Sequence, residues 1–161
     1  MATAPPFEPQ MLAETARRDT ASLLSRGLVR YHAELGLVCL SEFTLRSGRR
    51  ADLMCLDPKG GLTIIEIKSS VEDFRNDRKW PDYLDYCDRF YFAVPEDFPQ
   101  DLIPADQGLM VADAYGATVL RAASATPLNA ARRRAITLRF AQLAARRLTL
   151  AIDPEAFAAG G

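Results

Sequence analysis

Three residues in this chain have the types and spacing to do chemistry together: Asp52, Glu66 after thirteen intervening residues, and Lys68 two positions further on. Glu66 and Lys68 interrupt Leu62-Thr63-Ile64-Ile65-Glu66-Ile67-Lys68, a run that otherwise reads as a strand apolar on both faces. An acid and an amine buried in such a strand are costly unless they pair or hold an ion.

Side chains alternate faces along a strand, so Asp52, Met54 and Leu56 share one face of their strand, and Leu62, Ile64, Glu66 and Lys68 one face of theirs. If the intervening turn is centred on Lys59, Asp52 stands directly opposite Glu66, with Cβ atoms about 4.5–5.5 Å apart. A two-residue turn would put Asp52 on the other face. The stretch Asp57-Pro58-Lys59-Gly60-Gly61 supplies five turn-forming residues, compatible with the odd count. Carboxylates that close repel, and one is driven neutral unless a cation joins them. Mg²⁺ prefers oxygen ligands, commonly one or two carboxylates with water and substrate phosphate. Lys68, roughly 6.6 Å along the same face, could orient or help deprotonate a water and stabilise charge on a phosphate. His32 is the single histidine, so neither a His-rich zinc site nor a Ser-His-Asp triad is offered. A hard-metal phosphodiesterase centre is the chemistry these residues suit; the competing interpretation is a charged, solvent-facing strand.

The elements that must position these residues follow from periodicity and punctuation. Residues 10–33 read as a helix with Leu12, Ala16, Leu23, Leu24, Leu28 and Tyr31 recurring at three- and four-residue intervals, stopped at Gly36. Three strands follow, Leu37–Arg46, Arg50–Leu56 and Leu62–Lys68, separated by turns at Ser47-Gly48-Arg49 and residues 57–61. Ser69–Asp77 suits a short helical turn, and Pro81 opens a helix to about Asp88. Arg89–Val94 is a fourth strand, parallel to the third through a right-handed crossover. Gly108–Asp113 and Ala117–Arg121 form a hairpin, and Asn129 to about Leu150 a closing amphipathic helix. The expected fold is α/β in the broad sense: an α+β mixed sheet in one domain spanning 1–161, with a core of about 10–150 and loose termini (residues 1–8 and 153–161).

With 161 residues, 48% of them hydrophobic and 25% charged, the chain is long enough for a real core. No apolar run approaches the roughly 20 residues of a membrane helix, and the first residues lack the basic and apolar regions of a signal peptide. Three widely spaced cysteines, with Cys39 and Cys55 in apolar strands, read as buried thiols; a cytoplasmic, nucleoid-associated protein is expected. The net charge of −1 hides segregation: seven arginines and no acid between Arg121 and Ile152, ten acids against four bases between Glu72 and Asp106. A basic face of that kind suits a polyanion, and a solvated arginine helix equally well.

The stretches Ser47–Leu53, Ile65–Phe74, Lys79–Tyr83 and Cys87–Pro95, with Gly108–Gly116, resemble the MmcB family of bacterial DNA-repair proteins over most of residues 20–148. That family is similar to the PD-(D/E)xK, or restriction-endonuclease-like, nucleases, whose core is a helix, a three-strand meander, a helix and a strand. The resemblance implies Asp52, Glu66 and Lys68 as catalytic residues, with Mg²⁺ or Mn²⁺ on Asp52, Glu66 and the Ile67 backbone carbonyl, and DNA as substrate. It implies other repair proteins as partners if cleavage is weak or absent. Ala51 replaces the motif proline, which does no chemistry. For a first-helix Glu found in many relatives the nearest candidates are Glu34, at the helix end, and Glu42, on the first strand; Glu42 is an outer-ligand candidate if the first turn is centred on Gly48.

Other residues carry two readings each. Lys79, Trp80 and Tyr83 could meet a phosphate or stack on a base, or seal the edge of a core. Arg49 and Arg50 could hold a phosphate backbone or simply solvate a turn. Arg132 and Arg133, with Arg134, Arg139, Arg146 and Arg147, could face a duplex or water. Ser69 and Ser70 suit a metal-bound water or the cap of the next helix, and His32 reads as structural.

Overall fold

Two glycine turns set the sheet. In the second, the Asp57 carboxylate Oδ1 accepts hydrogen bonds from the Lys59 and Gly61 amides (2.7 and 2.8 Å), while Gly60 takes φ +89°, a conformation glycine reaches without steric cost. Gly61 packs so close to Asp57 that a Cβ there would lie 2.2 Å from its carboxylate. The odd-numbered turn that results centres the hairpin on Lys59, with Leu56 opposite Leu62 and Leu53 opposite Ile65. The first turn, where Gly48 has φ +87°, centres its hairpin on Ser47, one residue before the Gly48 centre on which the Glu42 reading is conditional: Thr44 pairs with Arg50 and Phe43 with Ala51.

The computed structural model describes residues 9–158. Helix α1 (Pro9–Glu34) leads into strands β1 (Val38–Thr44), β2 (Arg50–Leu56) and β3 (Leu62–Ile67). A short helix α2 (Val71–Asn76) and a 3₁₀ segment (Trp80–Tyr86) cross over to β4 (Arg89–Val94); β5 (Gly108–Ala112), β6 (Ala117–Arg121) and the long helix α3 (Ala130–Ile152) complete the chain. The six strands lie in chain order in one sheet. β1 to β3 are antiparallel neighbours, β4 joins β3 in parallel as expected, β5 joins β4 in parallel, and β6 closes the edge antiparallel.

Each face of the sheet buries its own cluster. Leu53, Cys55, Ile65, Ala93 and Met110 lie under Leu24 and Leu28 of α1. Met54, Ile64, Phe90 and Phe92 lie on the other face with Tyr83 and Cys87 of the crossover and Ile136 and Phe140 of α3. Each fully buried side chain of this size contributes roughly 1.5–3 kcal/mol. Leu12 and Leu23, expected on the inner face of α1, are exposed: the sheet covers only the stripe Ala21, Leu24, Leu28 and Tyr31. Gly27 explains how closely α1 sits on the sheet, since a Cβ there would fall 1.9 Å from the Asp113 carbonyl oxygen in the β5–β6 turn.

α3 is fastened by its arginines. Arg133 makes two 2.6 Å bonds to the Asp88 carboxylate and one of 2.8 Å to the Gly60 carbonyl, and Asp88 also accepts from the Leu62 and Leu128 amides. The paired guanidinium first, then those amides, hold the Asp88 carboxyl at about 2 against the effect of burial, which raises it. Asn129 caps the helix through its side-chain oxygen. Of the termini expected to be loose, residues 1–8 and 159–161 lie outside the described residues; residues 153–158 turn back, placing the Phe157 ring 4.2 Å from the Arg146 guanidinium carbon.

Cys39 and Cys55 correct the expectation of free thiols. They are direct partners across β1 and β2, with Cα atoms 4.1 Å apart, and are joined as a disulfide. The hairpin register, invisible in their separation of 16 residues, is what brings them together. Cys87 remains a buried thiol, pushed up to about 12 by burial. Among the described residues no helix is long and apolar enough to cross a membrane.

Candidate active site

The sheet ladder opens where Asp52 and Glu66 meet. Pairing of β2 with β3 runs up to Leu53 and Ile65, and beyond that point side chains take over the backbone bonding. The Asp52 amide donates to Glu66 Oε1 (3.0 Å), and the Ile67 amide donates to Asp52 Oδ2 (2.8 Å). Each carboxylate thus binds the backbone of the other's strand, which fixes the two acids side by side. The register centred on Lys59 is the one that makes this possible.

Strict alternation fails on both strands here. Met54 and Ala51, three residues apart, both join the α3-side cluster, and so do their partners Leu40 and Phe43. The intervening residues Ser41 and Glu42 absorb the offset, with Glu42 held at φ +50°, a strained region for a residue with a Cβ. Asp52 therefore does not simply share the face of Met54, as alternation predicted; it lines a cavity of about 510 Å³ between the splayed strands and α1. Glu66, Ile67, Lys68 and Asp73 line the same cavity, as do Ser41 and Glu42, and α1 contributes Arg18, Ser22 and Ser25.

Burial decides the electrostatics. Glu66 and Lys68 are each 4% exposed, and Asp52 is half-buried. Burial first, and the Asp52 charge second, push the Glu66 carboxyl up to about 9. Burial also raises Asp52, against the Ile67 amide and Lys68, which pull it down. Without a cation, Glu66 thus carries a proton at neutral pH. Lys68 Nζ bonds Asp77 Oδ2 at 2.6 Å and stands 3.9 Å from Glu66 Oε2. Burial alone would lower its pKa; the Asp77 bond and the neighbouring carboxylates outweigh that and hold it above its ordinary value. Tyr83 lies beneath, its hydroxyl donating to the Arg50 carbonyl (2.9 Å) and raised by burial and by the two acids.

The donors fit a hard cation. Asp52 Oδ2 and Glu66 Oε1 are committed to amides, while the second oxygen of each carboxylate accepts no hydrogen bond. No fully buried side-chain oxygen or nitrogen among the described residues lacks a partner, so those two oxygens are open to solvent on residues that line the cavity. Together with the Ile67 carbonyl, they form an all-oxygen set of the kind Mg²⁺ or Mn²⁺ takes.

The remaining expected site residues divide. Glu42 lines the cavity and stands across from Asp52, though through the turn centred on Ser47; its carboxylate is exposed and 3.9 Å from Arg50 Nη2. Glu34 ends α1 and is not at the cavity. Ser70 is the N-cap of α2, accepting from the Asp73 amide (3.1 Å). Trp80 and Tyr83 correct the base-stacking alternative, because their rings pack against Phe90 and Phe92 in the core. Arg49 pairs with Asp82 at 3.0 Å, and Lys79 is exposed at the start of the 3₁₀ segment. Arg132 donates to the Asp85 carbonyl beside Tyr86, and Arg133 is bound to Asp88, so both hold α3 in place. Arg147 donates to the Ser41 and Glu42 carbonyls at the cavity rim.

Two groups were absent from the sequence-based expectation. Asp77 holds Lys68, and nothing in the sequence links residues nine positions apart across a helix. The polar stripe Arg18, Ser22 and Ser25 on α1 was legible, because it falls at the helical spacing of the face that buries Leu24 and Leu28.

A family described as DNA repair protein MmcB-like matches residues 8–155. The solved structure of the SPO1766 protein of unknown function from Silicibacter pomeroyi is 45% identical in sequence; the match covers 85% of this chain and 94% of that one, with a TM-score of 0.82. No curated protein matches the chain.

Proposed function

The chain belongs to the MmcB-like family of DNA repair proteins, and we propose from this premise that it is a Mg²⁺- or Mn²⁺-dependent nuclease of the PD-(D/E)xK type, hydrolysing DNA phosphodiester bonds. One observation carries the reading: Asp52 and Glu66 are locked to each other's strand and present their remaining oxygens to one cavity beside a buried ammonium. A sheet that needed only stability would not keep two acids there, since their proximity costs a protonation at neutral pH.

Asp52, Glu66 and the Ile67 carbonyl would hold the cation, which when bound supplies positive charge for the phosphate and acidity for a water. Lys68, fixed by Asp77, is placed to stabilise negative charge building on the phosphoryl oxygens or to orient the attacking water. Arg18 on α1 offers a second positive group at the cavity for the DNA backbone. Attack in line by water oxygen on phosphorus breaks the bond to one ribose oxygen, which leaves with a proton. Glu42 is an outer ligand in this scheme.

A second reading has its own support. α1 brings Arg18, Ser22 and Ser25 to the cavity and no carboxylate, and Lys68 gives its shortest contact to Asp77. Both features suit a module that binds DNA, cuts weakly or not at all, and recruits repair partners. Incubating a panel of DNA structures with Mg²⁺ or Mn²⁺ separates the two. A nuclease cuts as wild type and stops cutting as Asp52→Ala and as Lys68→Ala. Binding without cutting by wild type supports the module, and cutting that survives both substitutions defeats the proposed centre.

A further inference from the structure

His32, Cys39 and Cys55 make a second cluster, roughly 10 Å along β2 from Asp52 at three residues of ~3.3 Å each. One ring nitrogen of His32 and the two sulfurs lie within 4.8 Å of one another. His32 sits in the last turn of α1 and is buried. Its Nδ1 is 2.7 Å from the Leu28 carbonyl oxygen, a pairing in which Nδ1–H donates and Nε2 keeps its lone pair. A ligating histidine is oriented in this way, with one nitrogen bonded to the backbone and the other left for the metal.

Two thiolates and an imidazole are the donors that thiophilic d¹⁰ cations select. We propose that, when the Cys39–Cys55 pair is reduced, His32, Cys39 and Cys55 hold one such cation, of the Zn²⁺ class, with a fourth position open to water or another ligand. Around tetrahedral Zn²⁺ the ligand atoms stand about 3.5–3.8 Å apart, a spacing the sulfurs reach by side-chain rotation once the bond between them is gone. Cys39 is only half-buried and lies on the edge strand β1, which gives the ion a way in. Loading fastens the end of α1 to the first hairpin, and disulfide and metal exclude one another because only thiolates ligate. The site is independent of the carboxylate centre and of the nuclease reading.

The test uses the full chain, reduced with a phosphine that is then removed under nitrogen and titrated with Co²⁺ followed by Zn²⁺. One equivalent of Co²⁺ is expected to give a thiolate-to-cobalt charge-transfer band that one equivalent of Zn²⁺ abolishes. Cys39→Ser and His32→Gln should each weaken Zn²⁺ by more than about a hundredfold, since even partners behind a ligand cost 10–100-fold. Cys87→Ser, which removes the buried thiol outside the cluster, and Asp52→Ala should leave the band intact. The proposal is overturned by the absence of a band in reduced wild type, by a band that survives Cys39→Ser, or by one that requires Cys87.

Discussion

Glu66 carries the largest consequence at the scale of single residues. Its carboxyl is raised to about 9 by burial and by Asp52, so between its ordinary range and that value the folded protein holds a proton the unfolded chain has released. The Glu66 contribution to the stability of the metal-free protein is therefore full below about 4.5 and is lost as pH rises through 9. Chemical denaturation from pH 5 to 9 should show this decline, and Glu66→Gln should flatten it; an unchanged slope in the variant would place the proton elsewhere. Lys68 and Asp77 form the second pair. Asp77→Asn should cost roughly 1.5–3 kcal/mol, the range for a hydrogen bond to a charged group, and less once Lys68→Met has removed the partner, which a double-mutant cycle measures. Asp52, Glu66 and Lys68 were legible because charge inside an apolar strand is costly wherever the strand goes. Asp77 was not, because only the return of the chain after α2 brings it to the amine.

Backbone geometry governs the elements. Gly27→Ala puts a methyl into the Asp113 carbonyl, so α1 must lift from the β5–β6 turn. A loss of about 2 kcal/mol or more is expected, in the range for overpacking a close contact, and thermal unfolding will read it. Asp88→Ala should cost about 3 kcal/mol, because it strands the Arg133 guanidinium and frees two amides together. The second turn could be placed from Asp57 to Gly61 because each residue there has its own reason to turn. The first was left open, since Ser47-Gly48-Arg49 contains a single glycine that serves either centre. The offset at Ser41 and Glu42 had no signature at all, as a positive φ on glutamate is enforced by its neighbours. Leu12 and Leu23 were misassigned because helical periodicity names a face without saying how far the sheet beneath it extends.

For the molecule as a whole, the segregated positive charge of α3 turns largely inward. The arginines of α3 are largely spent within the chain, on Asp88 and on carbonyls of β1, the crossover and the β2–β3 turn. Among the residues lining the cavity, α1 adds Arg18 to the positive charge of Lys68. Arg18→Ala should weaken DNA binding and lower its salt slope by about one phosphate equivalent, whereas Arg133→Ala should lower stability more than affinity; fluorescence anisotropy over a salt series distinguishes them. The order of helix, meander, crossover and fourth strand was readable because turns and a parallel crossover leave few alternatives. The parallel docking of β5 on β4 was not, since the loop after Pro95 carries no directional signal. The convergence of Asp52 and Glu66 on one divalent cation is tested most directly by titrating Mn²⁺ into the protein and counting free ion by electron paramagnetic resonance. Wild type should take up Mn²⁺, Mg²⁺ should displace it, and Glu66→Gln and Asp52→Ala should each abolish the uptake. Equal uptake by wild type and both variants, or none by wild type, would contradict a shared cation at these two acids.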